Sequence, residues 1–107
     1  MSHHAIEGRN LYLRVTEPLM FVNTLAKNVE ASIGRGFSVK VMMGGPEKFP
    51  SHTFENREIS SKKLNIFIDS MAYWTRMVVD VHGKSEAENE AEIDMVLSGL
   101  EGEIAPH

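Results

Sequence analysis

A chain of 107 residues has room for one domain, and 42% hydrophobic with 24% charged residues is the balance of an ordinary globular fold. The absence of Cys excludes disulfides, a thiolate nucleophile and Cys-ligated metal centres. A net charge of −4 argues against a dedicated binder of phosphate backbones.

That charge is unevenly spread. Residues 84–107 set Glu86, Glu88, Glu90, Glu92, Asp94, Glu101 and Glu103 against Lys84, while the preceding portion is slightly basic. No apolar run approaches the length of a membrane span, and no basic stretch followed by an apolar core opens the chain. The expected location is therefore cytoplasmic. Residues 1–9 read as a flexible tail, in which His3-His4 followed by Ile6-Glu7-Gly8-Arg9 has the form of a tag remnant with a protease site. Residues 10–102 form the expected single domain, and 103–107 a flexible C-terminus.

Leu11, Leu13 and Val15 alternate with Tyr12 and Arg14, the period of a half-buried strand. Thr16 and Pro18 then open a helix, Thr16 as its cap and Pro18 in the first turn. Val22, Leu25, Ala26, Val29 and Ile33 recur at helical spacing, and Gly34 is placed to end the run. Phe37, Val39, Val41 and Met43 mark a second strand. Residues 44–52 carry Gly-Gly-Pro and Phe-Pro, which is loop chemistry, and 54–59 allow a short strand.

Leu64, Ile66 and Ile68 alternate with Asn65, Phe67 and Asp69, which predicts another strand. Residues 73–82, β-branched and aromatic, predict the longest. Gly83 breaks it, and Ser85 with Glu88 forms the capping pair of a last helix whose apolar stripe is Ile93, Val96, Leu97 and Leu100. The order β-α-β-(β)-β-β-α predicts an α+β two-layer sandwich. Its antiparallel-rich sheet has four to five strands, and two helices cover one face. The other face then stays open.

Several motifs are weighed against plainer readings. Gly83-Lys84-Ser85 ends like a phosphate-binding loop, but Val78 stands where the first Gly belongs, so a turn and a cap explain it. Asp80 and His82 stand two apart on one strand and so share a face, the parts of a general base pair when joined by a partner such as His52. No metal-ligand spacing accompanies them, and no metal or cofactor is expected. The seven Met are spread over every element, as core filling requires.

On the strand reading, Phe67, Trp74 and Val78 lie on the open face, ringed by Arg76, Asp80 and His82. Aromatics with Arg inside a polar rim compose an interaction surface. The competing reading folds loop 44–52, with Phe49, over that face. The expected function is a non-catalytic protein-binding or regulatory module, homodimeric or docked on a protein partner through the open face. Two alternatives stand beside it. One is a small hydrolase or isomerase using Asp80 and His82. The other is single-strand nucleic-acid binding on Phe67 and Trp74, with Lys62, Lys63 and Arg76 nearby.

Overall fold

A computed structural model describes residues 8–44, 51–69 and 75–100, together with the backbone of the strand at 103–106. The α+β expectation holds. Strands β1 (Arg9–Arg14), β2 (Ser38–Gly44), β3 (Ser51–Glu55), β4 (Thr75–His82) and β5 (Glu103–Pro106) form one sheet in the order β3-β2-β4-β1-β5. All neighbours in it are antiparallel. Helices α1 (Pro18–Gly34), α2 (Ser61–Asp69) and α3 (Glu86–Leu97) share a single core with one face of this sheet.

Period-2 alternation builds that face. Leu11 and Leu13 of β1, Val39, Val41 and Met43 of β2, Phe54 of β3, and Met77, Val79 and Val81 of β4 are all buried. Against them α1 lays Phe21, Val22, Leu25, Ala26 and Val29, and α3 lays Ile93 and Val96, with Leu97 and Leu100 partly buried beside them. Fully burying a Val, Leu, Ile, Phe or Met side chain contributes about 1.5–3 kcal/mol. The Met residues divide: Met43 and Met77 fill the core, whereas Met20 and Met95 are exposed.

Helix ends differ in detail from the sequence reading. Pro18 does occupy the first turn of α1, but the position before it is Glu17, and Thr16 makes no cap. At the other end Gly36, not Gly34, supplies the left-handed residue, with φ +94°. Its N–H donates to Ile33 O (3.0 Å) and that of Phe37 to Ser32 O (3.1 Å), a Schellman arrangement that satisfies two terminal carbonyls. Ile33 is exposed, and Ser32 is the buried member of that turn. Ser85 caps α3 as expected, accepting from Glu88 N at 3.3 Å.

One element is of the wrong type in the sequence reading. Residues 61–69 are helix, not strand, and the sheet lies elsewhere. Ser60 opens the helix, its hydroxyl accepting from Lys63 N (3.2 Å) and its carbonyl from Leu64 N (3.0 Å). Leu64 and Ile68, four apart, are buried, while Ile66 between them is 62% exposed. The third helix therefore joins α1 and α3 on the covered face.

Three boundaries also move. The short strand expected at 54–59 is β3 at Ser51–Glu55, so it begins inside the expected loop 44–52, and Asn56–Glu58 form a single 3-10 turn after it. Arg9, placed in the tail, is the first residue of β1, and its guanidinium reaches Asp94 (2.9 Å) and Glu90 (3.5 Å) on α3. Residues 103–106, placed outside the domain, pair with β1, Ile104 standing opposite Leu13 and Ala105 opposite Tyr12. An edge strand with open N–H and C=O groups accepts such an addition readily. Among the described residues, no helix is long and apolar enough to cross a membrane.

Candidate functional site

Among the described residues, no helix packs on the second face of the sheet. Its side chains run in cross-strand rows fixed by the register. Met42 pairs with Thr53 and Val78, and Val78 with Asn10; Arg76 stands between Gly44 and Tyr12. Lys40 stands between Glu55 and Asp80, and Ser38 lies opposite His82. Tyr12, Met42 and Val78 are half-buried, so the middle of the face is apolar. Arg76 and His82 are exposed around it.

Asp80 is the exception on this face, with only 8% of its surface exposed. Its short side chain sits on the central strand, and the chain at Gly8 runs so close that a Cβ there would lie 2.9 Å from the Asp80 Cα. A buried carboxylate needs a partner. The His82 ring supplies it, with Nε2 donating to the Asp80 carboxylate at 2.8 Å. Lys40 instead turns to Glu55 (3.2 Å) on the edge strand. Arg76 reaches Asn10 at 3.5 Å.

The expected surface is therefore only partly assembled. Arg76, Val78, Asp80 and His82 share the open face as the strand period requires. Phe67 does not join them, because α2 carries it to the helix-covered side, where it packs partly buried against the core. Trp74 and Phe49 lie outside the described residues. Lys62 and Lys63 also go with α2, so they do not converge with Arg76. His52, on β3, pairs with Met43 and thus belongs to the helix side, away from Asp80 and His82.

What the sequence reading missed follows from register, which a single strand does not disclose. Tyr12, Met42, Lys40 and Ser38 come beside β4 only once β1 and β2 are known to flank it. Among the described residues no group of three or more His, Asp or Glu is arranged to hold a metal ion.

A cleft lies between α2 and β3. It has a volume of about 370 Å³, and His52, Phe54, Lys63, Ile66 and Phe67 line it. Its rings are mutually packed: His52 lies 4.5 Å from Phe54 and 6.0 Å from Phe67 between centroids, and Phe54 meets Phe67 edge-on at 5.9 Å. Phe54 is fully buried and forms the floor. The signal for this site was present in the sequence as Leu64, Phe67 and Ile68 at helical spacing behind a Ser cap.

Compared with known proteins, the chain matches no family model, no curated protein and no solved structure.

Proposed function

We propose that this protein is a small cytoplasmic binding module without catalysis, which self-associates through the open face of its sheet. The observation that carries this reading is the cross-strand arrangement around Val78. Along β4 the face reads Arg76, Val78, Asp80, His82, with the basic group on one side of the apolar centre and the acidic group on the other. A two-fold axis between two facing sheets, running across the strands at the level of Met42 and Val78, reverses that order. Arg76 of each copy then faces the Asp80–His82 pair of the other, while Val78 and Met42 meet their own equivalents. Such self-complementarity is what an isologous dimer requires. Facing sheets pack in this way when their strands lie within about 30° of alignment.

Light scattering on a sizing column tests it. The full chain should elute at twice its own mass, and Val78→Asp should shift it to a monomer with an unchanged helical circular-dichroism signal. A monomeric wild type, or a Val78→Asp variant that remains dimeric, overturns the proposal.

A hydrolase or isomerase reading is favoured by one observation, the 2.8 Å contact between His82 and a nearly buried Asp80, with Ser38 directly opposite. A His acting as general base contributes about 10²–10⁴-fold. Hydrolysis of p-nitrophenyl acetate above background that disappears in His82→Ala would support it. Equal rates in both proteins leave the binding module.

A further inference from the structure

We infer that the cleft between α2 and β3 is a binding site for a small molecule with a flat apolar body and one anionic group, such as an aromatic carboxylate. The inference does not depend on the sheet-face reading, because the cleft lies on the opposite side of the sheet. Its volume, about 370 Å³, falls within the range that encloses small ligands.

The walls specify the body of the ligand. Phe54 closes the bottom, Phe67 presents a half-buried ring, and Ile66 stands 62% exposed at the mouth. Phe54 is the buried floor, Phe67 packs edge-on against it at 5.9 Å, and the exposed His52 ring, 4.5 Å from Phe54, stands beside them as the aromatic surface a planar guest would meet.

The polar groups specify its charge. Lys63, from the first turn of α2, and His52, from the edge strand, are the polar side chains among the described lining, and neither is acidic. Both are exposed, so neither is consumed by a buried partner. A carboxylate entering between them accepts from the Lys63 ammonium and the imidazole N–H, and such charge-assisted bonds are stronger than neutral ones. A cationic ligand would face repulsion there and no compensating carboxylate among those residues.

An NMR titration of the ¹⁵N-labelled full chain tests this with three probes of equal shape: naphthalene-2-carboxylate, naphthalene-2-carboxamide and naphthalen-2-ylmethanamine. The carboxylate should bind saturably, with shifts gathered at His52, Phe54, Lys63 and Phe67. The carboxamide should bind about tenfold more weakly, and the amine weakest of the three. Lys63→Gln, at an exposed position, should bring the carboxylate to the level of the carboxamide and leave the carboxamide unaffected. Three results overturn the inference: no saturable binding of the carboxylate, shifts gathered elsewhere, or an affinity that ignores the charge of the probe or of residue 63.

Discussion

The hydroxyl of Ser32 donates a 2.6 Å hydrogen bond to the carboxylate of Glu92, joining α1 to α3 inside the protein. Ser32 is fully buried and Glu92 only 7% exposed. Arg35 closes the arrangement with its guanidinium on the same carboxylate oxygen, Nε at 2.9 Å. Burial alone would raise the pKa of Glu92, but the bonds from Arg35 and Ser32 more than offset it and hold the carboxyl below its ordinary value. Lys84 adds a weaker attraction from the turn before α3.

Acid should therefore loosen the contact between α1 and α3. Because the folded-state pKa of Glu92 is depressed, its contribution is present above the ordinary value of 4.5 and is lost as pH falls below it. Urea unfolding between pH 7 and pH 3 should show this loss, and Glu92→Gln should flatten the acid limb. At pH 7, Glu92→Ala should cost about 2 kcal/mol, since it strands the buried Ser32 hydroxyl.

Asn28 acts at the far end of α3. Its side-chain amide donates to Val96 O (2.9 Å) and Ser98 O (2.8 Å), carbonyls that the helix cannot satisfy itself. Asn28→Ala should destabilise by about 1 kcal/mol and lower Tm by several degrees, measured by calorimetry. An unchanged Tm would mean water replaces the amide without loss.

Two glycines should respond in opposite directions. Gly83, at φ +136°, lies so close to the α1–β2 turn that a Cβ there would sit 2.8 Å from Gly36 O. Gly83→Ala therefore combines backbone strain with a clash, and should cost more than about 1 kcal/mol. At Gly34, helical and with nothing within 4 Å of a built Cβ, Ala should stabilise by about 0.5–1 kcal/mol. Denaturant midpoints of the two variants check both signs.

Deleting residues 85–107 removes Ile93 and Val96 from the core, along with Glu92 and strand β5. The remaining chain should lose its cooperative thermal transition. A single sharp melt near the parent temperature would show α3 to be peripheral.

The elements with one clean period were legible in the sequence. Leu11 and Leu13, Val39 through Met43, and Met77 through Val81 alternate because one side of each strand is buried, and the structure buries those residues. Helix α3 announced itself through Ser85 and Glu88 at its start and through Ile93, Val96, Leu97 and Leu100, although its acidic residues nearly encircle it. Residues 64–68 were ambiguous. Leu64, Ile66 and Ile68 satisfy a period of two, while Leu64, Phe67 and Ile68 satisfy one of 3.6, and a segment of nine residues holds too few repeats to separate them. The burial of Leu64 and Ile68 against α1, with Ile66 left outside, is a tertiary outcome.

The sequence by itself determined the α+β class, the strands β1, β2 and β4, the two longer helices and the shared face of Arg76, Val78, Asp80 and His82. Each depends on periodicity or capping within a few residues. Only the tertiary structure decided which side chains flank that face and where Phe67 goes. Strand order places β1 and β2 on either side of β4, bringing Tyr12, Met42 and Lys40 to it from distant parts of the chain. The helical state of 61–69 turns Phe67 toward His52 and Phe54 and creates the cleft. Both depend on contacts between segments far apart in sequence, whose free energy no local pattern records.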